Sequence, residues 1–405
     1  MREAVIVEAV RTPVGKRDGW LRGYHPAELG AIVLRELLTR TGLKGQHVPS
    51  GRDGVPIDQV ILGCVGQVGE QGANVARNAV LQAGFPIEVP ATTVDFQCGS
   101  SEQAVHLAAA LIQSQAADIV IAGGVESMSR VPMGSNFLNG PGSPFTPEIM
   151  QQYNIISQGL AAEVIAEDWQ IGRRELDEIG FRSHTLAAKA TEAGWFKKEI
   201  VPLPIPSGRD GVPTTLEDGR QVTVDRDEGI RNNPSLEKMA ALQAPFKEGG
   251  VVTAGNSSQI SDGAAALLVM GLDTARSLSL SPRARIVAQY VVGVDPHSML
   301  TGPIPATHGV LKRAGLGLDQ MDLIEVNEAF AAVLAAWRRE LQPDMDRVNS
   351  QGGAIALGHP LGATGARLMV TLVHALERTG GRYGLQTMCC GGGLGIATIL
   401  ERWAS

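Results

Sequence analysis

Four segments of this chain place a chemically useful side chain between a run of strand-forming residues and a glycine-rich or helical stretch. In DFQCGSSEQAVHLAAALI, Cys98 follows the strand-like Thr92 to Gln97 and precedes Ala104, Leu107, Ala108, Leu111 and Ile112, which share one helical face. Ser100 and Gln103 have capping-box spacing. Cys98 is therefore expected just ahead of a helix N-terminus, where the macrodipole favours a thiolate. In GGAIALGHPLGATGAR, His359 has bare glycine-rich flanks, Pro360 fixes a turn, and Thr364 is placed to cap the helix that follows. Asn327 lies between strand and helix in DLIEVNEAFAAVLAAW. In MCCGGGLG, Cys389 ends a strand and the glycines let backbone approach a ligand closely. Neighbouring residues of a strand face opposite ways, so Cys389 and Cys390 must have different jobs.

Taken singly, each residue has a blander explanation: a free cysteine is usually a small buried hydrophobe, and an asparagine here is an ordinary N-cap. Their common placement beyond strand ends is what α/β sheets use for ligands. A thiol nucleophile, an imidazole to activate it, a second thiol to move protons and glycine N–H donors for an oxyanion suit acyl transfer on carbon. His106, His184 and His374 fall inside helical patterns and are expected to be packed or surface residues.

The elements that must position these groups are those of a large globular enzyme. A chain of 405 residues, 44% hydrophobic, suits two or three domains. Its net charge of -7 argues against a general nucleic-acid binder, which needs a clustered basic surface. Four cysteines are too few for a disulfide scaffold, and no CxxC pair suggests zinc, so no metal is expected. The start, MREAVIVEAVRTP, lacks a signal-peptide pattern, and no apolar run approaches the about 20 residues that span a bilayer. A reducing, cytoplasmic setting is expected, with no membrane partner.

Strand-like runs (AVIVEAV, QVILGCV, TTVDF, DIVIAGG) alternate with helical stretches through residue 128. A second series runs from ARIVAQYVV through DLIEV, the segment around RVNSQGGAI, GLQTM and GIATILE. Both series contain a strand opened by aspartate, Asp58 and Asp322, so the chain reads as two related α/β halves. Residues 129–250 differ in texture, with helical patterns at 159–169 and 174–193, and read as an insertion. PSGRDGVP occurs twice, at Pro49–Pro56 and Pro206–Pro213; both copies are built of turn formers and are expected to be exposed loops.

From EAVRTPVGK through QCGSS, GGVESMS, VTAGNSSQISDGAAA, NEAFA and GGAIALGHPLGATGAR to CCGGGLG, the chain resembles the thiolases, acetyl-CoA acetyltransferases and 3-ketoacyl-CoA thiolases, essentially end to end. The resemblance implies two pseudo-repeated βαβαβαββ halves in a five-layered αβαβα arrangement, here 1–128 with 251–280 and 281–405, with a loop domain at 129–250 over the coenzyme A site. It implies Cys98 as the acylated nucleophile, His359 as its activator and Cys389 as the acid/base thiol. Asn327 is similar to the residue that holds an oxyanion-binding water, and the N–H groups of Cys98 and Gly391 to the other oxyanion hole. Ser258 resembles a residue near the pantetheine amide, and Arg231 one that contacts the nucleotide. Coenzyme A is then a substrate, no cofactor is permanently bound, and a homodimer or homotetramer is expected.

The chain departs from the family in two places. Ser157-Gln158-Gly159 stands where acetoacetyl-forming members have His-Met-Gly, and QCGSSEQ replaces the usual LCGSG or QCSSG. Both favour a degradative enzyme for bulky, steroid-like or branched chains over a biosynthetic acetoacetyl-CoA thiolase. A ketoacyl-synthase-like enzyme would call for histidine in place of Asn327. A non-catalytic lipid-binding relative would have no need of all four chemical positions.

Overall fold

A computed structural model describes residues 2–43, 56–138, 140–206, 214–215, 219 and 221–404. The first half runs β1 (Ala4–Arg11), β2 (Gly15–Lys16), α1 (Pro26–Thr41), β3 (Gln59–Gly63), α2 (Val75–Gln82), β4 (Ala91–Val94), α3 (Ser100–Gln113) and β5 (Ile119–Ser127). The insertion follows with α4 (Pro147–Tyr153), α5 (Gln158–Asp168), α6 (Arg173–Glu192), β6 (Leu203–Pro204), β7 (Thr223–Val224) and α7 (Leu236–Ala240). Next come β8 (Ser261–Gly271) and α8 (Leu272–Ser277). The second half contains β9 (Ala284–Gly293), α9 (Pro303–Ala314), β10 (Leu323–Val326), α10 (Ala331–Leu341), α11 (Ala354–Leu357), α12 (Thr364–Thr379), β11 (Tyr383–Cys390) and β12 (Leu394–Arg402).

Both halves repeat one strand order. In the first it is β1-β8-β5-β3-β4, and in the second β9-β12-β11-β10. The repeat extends to single side chains. Asp58 Oδ2 accepts from the N–H groups of Asp118 and Ile119 at the start of β5 (2.8 and 3.0 Å), and Asp322 Oδ2 accepts from Arg382 and Tyr383 at the start of β11 (2.7 and 2.9 Å). The expected fifth strand around RVNSQGGAI is reduced to one parallel bridge, Ile324 to Val348. Asn349, at φ 46°, then leaves the extended region and ends the strand.

Five layers follow from which faces are apolar. One face of β1, with Val5 and Val7, packs under α1 and α2, while Ala4, Ile6 and Ala9 face a second core shared with α3 and α12. A β-bulge between Ile6 and Glu8 shifts the alternation. Helix α12 is buried from Thr364 to Leu376, as a helix between two sheets must be. The outer face of the second sheet packs on α9 and α10 and on α5 of the insertion. The two sheets meet where Val5 and Ile6 pair with Arg285 and Ala284.

The two helical patterns of the insertion are present as α5 and α6. Apart from Pro56 and Pro206, the two PSGRDGVP copies lie outside the described residues. Helix α10, which follows the Asn327 segment, is anchored by Trp337, fully buried, whose indole N–H donates to Thr307 Oγ1 of α9 at 3.0 Å. Trp337→Ala should cost about 3–5 kcal/mol in urea unfolding, as large aromatic truncations in packed cores do. A loss below about 1 kcal/mol would show that α10 is not held by this contact.

Candidate active site

Strand β4 ends at Val94, and an Asp95 turn carries the chain to the first thiol. Gln97 N–H donates to Asp95 Oδ1 at 2.7 Å, and Gln97 is held at φ 50°, a strained conformation for a side chain of this size. Cys98 is 3% exposed. The expected capping box does not form: Gly99 occupies the N-cap position of α3, and Ser100 Oγ accepts from Phe96 N–H and donates to Gln97 O, at 2.8 and 2.5 Å. The N–H groups of Gly99 and Ser100 are also spent within this turn, on Phe96 O and Gln97 O. A preformed thiolate is therefore not favoured as the sequence suggested. Burial pushes the Cys98 thiol up to about 11, against the N–H groups of Gly391 and of Cys98 itself, with Glu126 and Asp95 adding to the rise.

The second and third thiols end β11, and both are fully buried. Cys389 packs in the core with α5 and α10, on the side covered by the insertion. Cys390 packs with Cys98 and Met128, and a Cβ on Gly99 would come within 2.7 Å of its Sγ. The two side chains face opposite sides, as a strand requires. Burial first, and then Cys98, push both the Cys389 and the Cys390 thiol upward, so both lie near Cys98. Gly391 follows them. A Cβ there would lie 2.8 Å from Gln158 Nε2 and 3.1 Å from Gln97 Oε1, so the insertion closes directly over this backbone.

His359 and Asn327 meet at 3.5 Å, Nε2 to Nδ2. Gly358 must be glycine: it sits at φ 98°, and a Cβ would lie 2.6 Å from Ser261 Oγ, which instead accepts from His359 N–H at 3.1 Å. Thr364 begins α12 rather than capping it, and its hydroxyl fixes the imidazole. Oγ1 donates to Pro360 O at 2.8 Å, and Pro360 O can only accept, so the 2.7 Å contact to His359 Nδ1 uses the ring's N–H. Nε2 is then the bare nitrogen and points toward Asn327. Burial, helped by Arg367, pushes His359 down to about 3, which keeps the ring neutral. No hydrogen bond joins Cys98 to His359; the histidine loop reaches the thiol through Leu361, in the same apolar cluster as Cys98. Asn327 Oδ1 is buried without a partner among the described residues, a spare acceptor beside the imidazole.

Supporting residues went unassigned in the sequence. Glu126, at the end of β5, accepts from Val65, Gly66 and Gly362 N–H and from Gln71 Nε2, at 2.9, 3.0, 2.8 and 2.7 Å. A glutamate directly after the apolar run IVIAGGV was the available signal. Asn349 completes β10 by bonding Val326 N and O, both at 2.9 Å, and donates to Glu328, which also takes Ser183 Oγ at 2.6 Å. Ser258 runs beside the Asn327 segment, donating its N–H to Ala329 O at 2.9 Å. Arg231 stands apart, exposed on the insertion, with its backbone N–H on His184 Nδ1 at 3.2 Å. His106, His184 and His374 are buried in the packing. Among the described residues no group of His, Cys, Asp and Glu could hold a metal ion, and no helix is long and apolar enough to cross a membrane.

The site can therefore offer a neutral thiol, a neutral imidazole whose unprotonated Nε2 accepts from Asn327 Nδ2 at 3.5 Å, a second buried thiol and glycine backbone donors. Residues 4–273 match the thiolase N-terminal domain and residues 280–402 the thiolase C-terminal domain. The chain is 47% identical to a steroid 3-ketoacyl-CoA thiolase of Mycobacterium tuberculosis, over 99% of this chain and 95% of that protein. It is 44% identical to a 3-oxoadipyl-CoA/3-oxo-5,6-dehydrosuberyl-CoA thiolase of Escherichia coli, over 99% of this chain and all of that one. Its fold superposes on the crystal structure of a Bacillus anthracis acetyl-CoA acetyltransferase with a TM-score of 0.87 and 39% identity, covering 100% and 99% of the two chains.

Because its pKa is raised, Cys98 should be almost wholly protonated at neutral pH and gain thiolate only as pH climbs toward about 11. Its alkylation by iodoacetamide, followed on the Cys98 peptide by mass spectrometry, should speed up about tenfold per pH unit from pH 7 to 9. A rate that is flat across that range would reveal a preformed thiolate–imidazolium pair.

Proposed function

Because this chain belongs to the thiolase family, we propose that it cleaves 3-ketoacyl-CoA with coenzyme A in the degradation of fatty acids or steroid side chains, through an acyl group carried on Cys98. The observation that carries this reading is the tautomer of His359. Thr364 holds the proton on Nδ1, so Nε2 keeps its lone pair, met only by the long 3.5 Å contact from Asn327 Nδ2, and burial keeps the ring from being protonated beforehand.

In thiolysis, Cys98 Sγ attacks the 3-keto carbon as its proton passes to His359 Nε2. The resulting oxyanion faces that new N–H and a water held by Asn327. The bond between the second and third carbons breaks, and Cys389 gives its proton to the departing acetyl-CoA enolate. Coenzyme A thiol then returns a proton to Cys389, attacks the thioester on Cys98 and displaces the Cys98 sulfur, which recovers its proton from His359. The N–H groups of Cys98 and Gly391 hold the second oxyanion. One such donor is worth about 3 kcal/mol in the transition state. The reverse sequence is a Claisen condensation.

Ser258 suits the pantetheine arm, since its segment edges the Asn327 loop, and Arg231 suits the nucleotide at the exposed end of the insertion. The four cysteines, all free, fit a reducing cytoplasm, and we carry over a dimer or tetramer from the family. A degradative role is supported by Gln158, whose amide stands at Gly391 where acetoacetyl-forming members have methionine.

Three measurements test this. With a 3-ketoacyl-CoA, intact-protein mass spectrometry should find the acyl group on Cys98 and none in Cys98→Ser. Cys389→Ala should still be acylated yet lose deuterium exchange at the acetyl-CoA α-carbon, whereas full exchange with an inactive Cys390→Ala would exchange the roles of the two thiols. Across a chain-length panel, kcat/KM should favour longer or ring-bearing substrates over acetoacetyl-CoA, because each methylene is worth about 1–3 kcal/mol. A tenfold preference for acetoacetyl-CoA would place the enzyme on the biosynthetic side.

A further inference from the structure

Two side-chain amides converge beside the nucleophile, and among the described residues nothing else uses them. The point where a Gly391 Cβ would stand lies 2.8 Å from Gln158 Nε2 and 3.1 Å from Gln97 Oε1. The two glutamines come from different parts of the fold, one from the strained turn before Cys98 and the other from the start of α5 in the insertion. Both are half-buried, and among the described residues neither amide has a hydrogen-bond partner. The φ of 50° at Gln97 aims its side chain independently of the β4 pleat.

Neither amide is sealed from solvent, so each can donate to or accept from a ligand that enters beside Gly391. The surroundings sharpen what that ligand is. On one side Phe246 packs on Gly159, next to Gln158, and meets Phe330 edge-on at a centroid distance of 6.2 Å, forming an apolar wall. The turn that carries Gln97 also carries Asp95, whose Oδ1 accepts from Gln97 N–H at 2.7 Å. An acyl chain passing here meets apolar surface and amides, with a carboxylate nearby.

We propose that Gln97 and Gln158 form a polar selector for the acyl chain, and that the substrates are 3-ketoacyl-CoAs whose retained chain bears an uncharged oxygen, a ketone or hydroxyl, a few carbons beyond the thioester. Gln158 donates to this oxygen. Gln97 accepts from a hydroxyl or turns its own NH2 toward a ketone. A terminal carboxylate at the same place meets the Asp95 carboxylate of the Gln97 turn and is disfavoured. The proposal rests on Cys98 carrying the acyl group beside Gly391.

The test compares thiolysis of 3-ketooctanoyl-CoA, 3,7-dioxooctanoyl-CoA and 3-ketoadipyl-CoA by the intact enzyme. The expected result is a kcat/KM for the dioxo substrate about tenfold or more above the plain chain, the worth of one or two hydrogen bonds. Gln158→Leu, Gln158→Met and Gln97→Leu should each draw that ratio toward one, chiefly through KM. Three variants guard against the misfolding of any single one. A wild-type ratio of one or less, a ratio unmoved in every folded variant, or a preference for 3-ketoadipyl-CoA over the dioxo substrate would overturn the selector and leave thiolysis standing. Absence of turnover with all three substrates would remove the thiolysis reading and the selector with it.

Discussion

The site depends on one buried carboxylate. Glu126 ends β5 in the first half, yet one of its four N–H donors, Gly362, belongs to the loop that carries His359 in the second. The others, Val65, Gly66 and Gln71, come from the segment after β3. All four donate, so the ionised form, which can only accept, satisfies them, and their combined field opposes the upward push of burial. Gly362 has no room for a side chain: a Cβ would lie 2.6 Å from Cys64 Cα and 2.8 Å from Glu126 Oε2. The histidine loop is thus seated against the first half with backbone on backbone.

Around this joint the duplicated fold supplies the rest. Each half delivers strand ends to the same region, and each uses an aspartate clamp, Asp58 or Asp322, to align them. Duplicated frames then diverge in chemistry. The first half gives Cys98 after β4, while the second gives Asn327 after β10 and Cys389 at the end of β11. Glu328 and Asn349 tie the Asn327 segment to α6 through Ser183 and to the histidine loop through Ile355 N–H, at 2.6 and 3.3 Å. Burial does the electrostatic work, holding the Cys98 thiol and the His359 imidazole neutral.

Much of this was legible in the sequence. Alternating β-branched runs marked β1, β3, β5, β9, β10 and β12, because one or both faces of those strands are apolar. The glycine-rich turns marked where a side chain could be presented. Strand β8 was less visible: SDGAAALLVMG opens with turn formers and helix-favouring alanines, and it is a strand because all eleven residues are buried between neighbours. The missing fifth strand of the second half and the failed capping box at Ser100 were decided by long-range partners that local spacing does not encode. So was the state of Cys98: the helix terminus was readable, but not that its first donors are used by the turn. Gln158 could be flagged only as a departure, since its approach to Gly391 arises from how the insertion folds back.

The most direct test of the joint is the rate at which Cys98 is acylated when Glu126 is altered. In Glu126→Ala the Gly362 N–H loses its acceptor, which loosens the loop that carries His359 and with it His359 Nε2. Rapid-quench mass spectrometry should then show acylation slowed about tenfold or more, in protein whose circular dichroism is unchanged. Acylation at the wild-type rate in that variant would mean that the histidine is positioned without Glu126, and would contradict this account of how the two halves make one site.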